Sequence, residues 1–157
     1  MTPNYAVNYF GRFYNMTQDE INKRKKELFS IFGVDKFQEV KVGDLSTGMK
    51  QKVSIVVSLI HDPDIIIFDE PTNGLDVLTA KVVTDYLEHL AANGKTVIIS
   101  THIMSLAAKI CHRVGIIING KIIINDILEN IYKEYNSTDL EDIFFELYKK
   151  EVGEELC

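Results

Sequence analysis

Two adjacent carboxylates, Asp69 and Glu70, come directly after the apolar run IIIF at residues 65–68. A short continuous apolar run is typical of a strand that is buried on both faces of a sheet. Parallel sheets bind ligands at the carboxyl ends of their strands, which is where these acids lie. Because successive side chains of a strand alternate in direction, one acid could hold Mg²⁺ while the other orients an attacking water. Acids that are simply solvated, or that cap the next helix, are the alternative.

Ser46, Thr47 and Gly48 stand where a helix is predicted to begin. A serine hydroxyl and the unobstructed backbone amides beside a glycine, together with the helix dipole, favour an anion such as phosphate. A serine that only caps its own helix is the simpler interpretation.

His102 and Asp76 complete the set of candidate residues. His102 follows the apolar segment TVIIS, again at the carboxyl end of a predicted strand, where an imidazole could reach a terminal phosphate. A lone histidine is more often structural. Asp76 precedes a predicted helix and could be its N-cap.

Helices are predicted on the amino-terminal side of these residues. A first amphipathic helix is indicated over residues 4–14, and the pattern T-x-x-E at residues 17–20 is a capping box that begins a second helix. Gly33 is the predicted end of that helix. The apolar positions that indicate the first helix are Ala6, Tyr9, Phe10 and Phe13.

Strands and helices then alternate. A helix from Ser46, the strand IIIF, a helix over residues 77–94, the strand TVIIS and a helix to about residue 111 predict a parallel sheet with flanking helices, the α/β class. Asn119-Gly120 predicts a tight hairpin turn, and closing helices are expected near residues 127–135 and 139–151. The helix after residue 77 is predicted to share one face among Leu78, Val82, Tyr86 and Leu90.

Composition limits the classes of function. The 157 residues include 17 basic and 23 acidic side chains, for a net charge of −6, and the one dense basic cluster, residues 23–26, lies on a predicted helix. A broad nucleic-acid-binding face is therefore not expected. Cys111 and Cys157 are too few for a disulfide framework or a zinc site. No segment has the length of apolar sequence that a membrane span needs, and the first residues do not have the pattern of a signal peptide.

Four motifs occur in a fixed order: LSTGM at residues 45–49, IIIFDE at 65–70, NGLD at 73–76 and STH at 100–102. In this the chain resembles the ATPase domain of ATP-binding-cassette (ABC) transporters. The motifs are similar to that family's signature, usually Leu-Ser-Gly-Gly-Gln, and to its Walker B, D-loop and switch histidine. Thr47 replaces a glycine and Met49 a glutamine, as in similar signatures of the exporter-type branch.

The resemblance implies a role for each candidate residue in a site for ATP and Mg²⁺. Asp69 would hold Mg²⁺, Glu70 would polarise the hydrolytic water, and His102 would contact the γ-phosphate from the same subunit. The signature residues Ser46, Thr47 and Gly48 would contribute to binding ATP held by the opposite subunit. Asp76 would help the two subunits communicate, so the resemblance implies a dimer in the working complex.

The resemblance also requires a P-loop, G-x-x-x-x-G-K-[ST], to cradle the phosphates. NGKT at residues 93–96 ends in the right residues but leads into a strand, and GIIINGKI at residues 115–122 lacks the hydroxyl residue and is predicted to be a hairpin. The family's Q-loop glutamine is not found either. We therefore expect the later part of the domain, a truncated or split ATPase, which would expose an unpaired sheet edge or apolar face.

The expected architecture is a partial P-loop NTPase fold in three parts. Residues 1–45 would form a helical subdomain, residues 46–125 the signature helix and catalytic core, and residues 126–157 the closing helices. The implied partners are an ABC ATPase subunit or P-loop fragment and transmembrane permease subunits. The implied location is cytoplasmic, at the inner face of the membrane, through those permease partners.

Two other functions use the same residues. A non-catalytic protein could dock on an intact ABC ATPase and offer Ser46 and Gly48 to its ATP. ABC-type ATPases of chromosome maintenance or of the ribosome share the motifs, but residues 1–45 carry no sustained heptads, and the acidic net charge argues against nucleic acid.

Overall fold

The structure, a computed structural model, describes residues 1–153. They form two compact units, the first from Met1 to Ser100 and the second beginning at Thr101. Cys157 lies outside the described residues. Within the described part of the chain, no helix has both the length and the apolar character needed to cross a membrane.

The first unit contains four helices, two short 3₁₀ segments and two strands. In chain order these are α1 (Pro3–Phe13), α2 (Gln18–Phe32), the 3₁₀ segments Val34–Phe37 and Val42–Asp44, α3 (Thr47–Leu59), β1 (Ile65–Asp69), α4 (Val77–Ala92) and β2 (Thr96–Ser100). The helices and strands occur where the sequence patterns predict them.

Local side chains set the ends of α2. The capping box is confirmed: the amide of Glu20 donates to Thr17 Oγ1 at 3.3 Å, and the amide of Thr17 donates to Glu20 Oε2 at 2.7 Å. The Thr17 hydroxyl also donates to Glu20 Oε2 at 2.7 Å. This hydrogen bond first, and then the one from the Thr17 amide, hold the pKa of Glu20 below its usual value. Gly33 ends the helix in the left-handed conformation, with φ +66°, as predicted.

The two strands of the first unit are parallel neighbours, with Ile65 opposite Thr96 and Asp69 opposite Ser100. Helix α4 is the crossover between them, which is the connection that a parallel pair requires. One face of the pair, carrying Ile66, packs into a core built mainly from α2, α3 and α4. The predicted parallel arrangement of the two strands is confirmed.

The prediction that the strands are buried on both faces is wrong for the described residues. Ile66 is 4% exposed, but Ile65 and Ile67 are 62% and 72% exposed, and Ile98 on β2 is 51% exposed. Side chains of a strand alternate between faces, so these three residues form one apolar surface, which we call the open sheet face. All the core contacts of the pair are made by the opposite face.

The predicted apolar faces of α1 and α4 are partly wrong. In α1, Tyr9 and Phe13 are 53% and 69% exposed, because the helix packs through small residues: a Cβ on the buried Gly11 would lie 2.6 Å from Ile21 Cγ1. In α4, Tyr86 and Leu90 are buried as predicted, but Leu78 is 78% exposed and Val82 is 36% exposed, because in the first half of the helix the buried positions are one residue later. The buried stripe includes Thr79, Val83, Tyr86, Leu87 and Leu90.

The second unit has its own core. It contains α5 (Met104–Ile110), β3 (Arg113–Ile118), β4 (Lys121–Ile127), α6 (Leu128–Tyr135) and α7 (Leu140–Val152). The predicted hairpin is confirmed: β3 and β4 are antiparallel, and the turn residues Asn119 and Gly120 have φ of +51° and +75°. One face of this hairpin packs with α6 and α7.

Candidate functional site

The carboxyl edge of the β1–β2 pair carries Asp69, as the strand pattern predicts. Its side chain is exposed, and the hydroxyl of Ser100, its register partner on β2, donates a short hydrogen bond to Asp69 Oδ1. Ser100 is a residue that the sequence reasoning did not single out, although it follows an apolar strand in the same way as Asp69. The arrangement leaves a carboxylate at the sheet edge with one oxygen oriented by a neighbouring strand.

Glu70 has an unusual backbone conformation. Its φ is +46°, in the left-handed region that side-chain-bearing residues rarely adopt and that costs roughly 1–3 kcal/mol. Two hydrogen bonds hold it there: its amide donates to the Ser100 carbonyl at 2.9 Å, and its carbonyl accepts from the Asn73 amide at 3.0 Å. The chain therefore turns sharply at Glu70, directly after the strand.

Ser46 caps α3. Its backbone is extended, and its hydroxyl accepts from the Met49 amide at 3.3 Å. Ser46 is thus an N-cap of α3, and its role toward an anion stays a prediction. Thr47 and Gly48 are the first helical residues, so their amides belong to the group that has no partner inside the helix. An anion-binding role at this helix start remains compatible with the cap.

Asp76 caps α4 with two hydrogen bonds to one residue. Thr79 donates to it from its amide at 3.0 Å and from its hydroxyl at 2.7 Å. These bonds, first the one from the hydroxyl, hold the pKa of Asp76 below its usual value. The N-cap interpretation of Asp76 is confirmed, and Thr79 is a buried polar partner that the sequence reasoning missed. The pattern D-x-x-T at residues 76–79 is the signal that indicates it.

The loop after Glu70 lies against the start of α3. A Cβ on Gly74 would lie 3.4 Å from Thr47 Cγ2, and one on Gly48 would lie 3.4 Å from the Gly74 carbonyl oxygen. Gly74 has φ +72°, so its conformation also favours glycine. The structure therefore brings the signature-like and D-loop-like segments of one chain into contact.

His102 belongs to the second unit. It lies between the end of β2 and the start of α5, and its side chain is exposed. The other six candidate residues belong to the first unit. Asp69 and Glu70 lie at the carboxyl end of β1, Thr47 and Gly48 lie beside Gly74, Ser46 precedes them as the cap of α3, and Asp76 ends the loop that contains Gly74.

Lys95, the lysine of the segment NGKT, lies at the opposite end of the strand pair from Asp69. Its ammonium donates to Asp64 Oδ1 at 3.0 Å and to the Asp62 carbonyl at 3.1 Å, both before β1. These acids, first the hydrogen bond to Asp64, raise the pKa of Lys95. Lys121, the lysine of the other segment, begins β4 of the hairpin. Neither lysine is part of a strand-loop-helix unit at the edge that carries Asp69.

Asp69 is the carboxylate that a magnesium ion could bind at this end of the strand pair. Among residues 1–153, no cluster of three or more histidine, cysteine or acidic side chains is placed to hold a metal. Mg²⁺ commonly takes one or two carboxylates and completes its shell with water and substrate phosphates. Asp69, exposed and beside the Ser100 hydroxyl, fits that mode of binding.

Known proteins resemble the chain in sequence and in fold. Residues 3–108 match the family described as "AAA domain, putative AbiEii toxin, Type IV TA system". The chain is 40% identical over 144 residues to the ABC transporter ATP-binding protein NatA of Bacillus subtilis, a match over 92% of this chain and 58% of that protein. A solved ATP-binding subunit of an ABC transporter superimposes with a TM-score of 0.87 at 27% identity, over 94% of this chain and 62% of that one. The chain belongs to this AAA domain family, and within it to the ATP-binding domains of the ABC transporter type.

Another relative of the ABC domain is the Nod factor export ATP-binding protein I of Burkholderia lata, 36% identical over 112 residues, which are 71% of this chain and 37% of that protein. The chain thus spans little more than half of NatA and about a third of the Nod factor exporter's ATP-binding protein. The predicted family and fold class are confirmed. The individual roles of the site residues and the three-part division of the chain stay predictions.

Proposed function

We propose that this ABC domain contributes the signature, Walker B, D-loop and switch-histidine elements of an ATP site that powers transport. A P-loop outside residues 1–157, on another segment or chain, completes the site. The observation that carries the proposal is the position of two acids. The exposed Asp69 carboxylate and the left-handed Glu70 lie at the carboxyl end of β1, next to the carboxyl end of the parallel strand β2. Acids at this position suit a metal nucleotide.

Each candidate residue has a role in this site. Asp69 would hold Mg²⁺, which would neutralise phosphate charge, and Glu70 would orient the attacking water, because the turn at Glu70 separates the directions of the two side chains. His102 would contact the terminal phosphate of the same site.

The signature segment would serve a second nucleotide. The amides of Thr47 and Gly48, with the Ser46 hydroxyl, would bind the γ-phosphate of ATP held by an opposite subunit, and Asp76 would link the two sites. The working complex is then a dimer of ATPase subunits, joined to transmembrane permease subunits at the inner face of the membrane.

The test is binding of a fluorescent ATP analogue with Mg²⁺ to the purified chain, alone and with a separately expressed P-loop fragment: a strand, the loop G-x-x-x-x-G-K-[ST] and a helix. We expect binding and hydrolysis only when the fragment is present. Glu70→Gln should keep nucleotide binding and reduce turnover by about 100-fold or more, since it removes the water-orienting carboxylate. Asp69→Asn should raise the Mg²⁺ concentration that turnover requires, since it removes the charged protein ligand of the ion.

Glu134→Gln is the matched control, because Glu134 is an exposed acid of α6 outside the site. Its turnover should equal that of the wild type. Turnover that is unaffected by Glu70→Gln would contradict the catalytic role. If turnover of an intact partner ATPase instead responds to Ser46→Arg but not to Glu70→Gln, the chain is a non-catalytic docking protein.

A further inference from the structure

Thr47 is the residue at which the signature-like segment departs from the usual glycine, and its methyl group has a defined neighbour. An added Cβ on Gly74 would lie 3.4 Å from the γ-methyl of Thr47, so this methyl lies beside Gly74 on the side where a side chain would project. The next residue, Gly48, approaches the carbonyl of the same Gly74 so closely that its own Cβ would lie 3.4 Å from that oxygen. The first turn of α3 therefore rests on the loop at Gly74 through two successive residues.

That loop is a short, hydrogen-bonded connection to Glu70. The Leu75 amide donates to the Thr72 carbonyl at 3.2 Å, and the Asn73 amide donates to the Glu70 carbonyl at 3.0 Å. The loop is held at its far end as well, where the Glu70 amide donates to the Ser100 carbonyl at 2.9 Å. Gly74 lies in the turn closed by Thr72 and Leu75, which overlaps the turn closed by Glu70 and Asn73, so we expect a displacement of Gly74 to reach the Glu70 backbone through these two turns.

The conformation of Glu70 makes it sensitive to such a displacement. A left-handed non-glycine residue persists only where its surroundings over-determine it, and Glu70 has φ +46°. A neighbour that holds the loop at Gly74 in place therefore also helps to hold the backbone conformation of Glu70. That conformation sets the direction of the Glu70 side chain.

We propose that Thr47 is a positioning residue for Glu70, which acts through the position of its γ-methyl beside Gly74. The proposal rests on the proposed function in one respect, the role of Glu70 in orienting water. The threonine of this signature would then have a function of its own, because it would couple the helix turn proposed to bind an anion to the proposed water-orienting acid of the same chain.

The first experiment is nuclear magnetic resonance on the isotope-labelled full chain without nucleotide. Thr47→Ser deletes the γ-methyl, whereas Thr47→Val keeps a methyl at the same place. Thr138→Ser deletes the same group at an exposed position of the second unit and is the matched control. We expect Thr47→Ser to shift the amide resonances of Gly74, Asn73 and Glu70 and the carboxyl carbon of Glu70. Thr47→Val and the control should leave them near their wild-type positions.

The second experiment is turnover with the P-loop fragment described above. Thr47→Ser should lower kcat by about threefold to tenfold and leave the KM for ATP unchanged, and Thr47→Val should restore kcat. The proposal is overturned if the Glu70 resonances ignore Thr47→Ser, if Thr47→Val shifts them as much as serine does, or if the serine variant changes KM alone. If the wild type has no turnover with the fragment, the proposed function fails, and the resonance shifts alone then decide whether Thr47 positions Glu70.

Discussion

His61 lies flat against Tyr14, with ring centroids 3.6 Å apart and ring planes 5° from parallel. Its Nδ1 is buried and has no hydrogen-bond partner among the described residues. Burial lowers the pKa of His61 from its ordinary value of 6.5, and the charge of Asp62 offsets only part of this effect. The folded state therefore favours the neutral imidazole.

This shift predicts a pH-dependent stability. Because the pKa is lower in the folded than in the unfolded chain, the unfolded state binds the proton more readily. The stability that the neutral His61 imidazole gives to the folded state is fully present above pH 6.5, and it is lost as the pH falls through the folded-state pKa of His61. Urea unfolding of the wild type should give a lower free energy of unfolding at pH 5 than at pH 8. His61→Phe, which keeps a ring beside Tyr14, should show a smaller decrease.

The control for this experiment is His112→Phe, since His112 is an exposed histidine of the second unit. This variant keeps the stacked imidazole of His61 and should still lose stability between pH 8 and pH 5. If the free energy of unfolding of His61→Phe fell between pH 8 and pH 5 as much as that of the wild type, the stacked imidazole would have the same pKa in the folded and unfolded states.

At the residue scale, the sequence predicted those positions that depend only on the neighbouring residues in the chain, such as the end of a strand or the start of a helix. Asp69 and Glu70 were predictable because they follow an apolar strand, and the caps Ser46 and Asp76 because each precedes a helix. Gly74 could not be found in this way: its importance comes from contact with the start of α3, which lies far from it in sequence.

At the scale of elements, the packing of α1 on α2 depends on one missing side chain. Gly11 is buried against Ile21, which is itself 0% exposed, and a Cβ there would lie 2.6 Å from Ile21 Cγ1 and 2.8 Å from Cδ1. In a free helix, alanine in place of glycine would stabilise by about 1 kcal/mol. Here overpacking opposes that gain and costs about 1–3 kcal/mol.

We therefore predict that Gly11→Ala lowers the free energy of unfolding, by up to about 2 kcal/mol net, as measured by urea denaturation. Gly43→Ala is the control, because a Cβ there has nothing within 4 Å. It should change stability by less than about 0.5 kcal/mol. Ile21→Ala makes room by removing both Cγ1 and Cδ1, so the double variant should be less destabilised than the sum of the two single variants. Stabilisation by Gly11→Ala would contradict the close approach of the helices.

Element boundaries were more predictable than element faces. Apolar periodicity and caps indicated α1 to α4 and the hairpin in the right order. In α1 the aromatic residues point outward because the small residues allow a closer helix contact, and in α4 Thr79 can be buried because Asp76 binds its hydroxyl. The outward aromatic residues of α1 depend on the contact of Gly11 with Ile21 of α2, and the burial of Thr79 depends on the cap residue Asp76. Apolar periodicity within one helix contains neither contact.

At the scale of the whole molecule, the open sheet face leads directly to the candidate metal ligand. Ile65, Ile67 and Asp69 alternate along β1 and so share a face, and Ile98 lies opposite Ile67 on β2. Parallel sheets are usually covered on both faces, and uncovered apolar patches commonly mark interaction sites. The sequence predicted an exposed apolar surface or edge of this kind from the absence of a recognisable P-loop, but it could not predict which face would be exposed.

An element that covers the open sheet face would end beside Asp69, where the proposed site needs a phosphate-binding loop. We therefore predict that the P-loop fragment binds here and that Ile67→Glu weakens its binding by at least about tenfold, because the fragment would have to bury a charge. Ile67 is 72% exposed, so the variant should remain folded.

Ile122→Glu is the matched control, since Ile122 is a 65% exposed strand residue of the second unit, and it should bind the fragment as the wild type does. Fluorescence anisotropy of a labelled fragment measures both affinities. Equal affinity for the two glutamate variants would place the fragment elsewhere and separate the open sheet face from the ATP site.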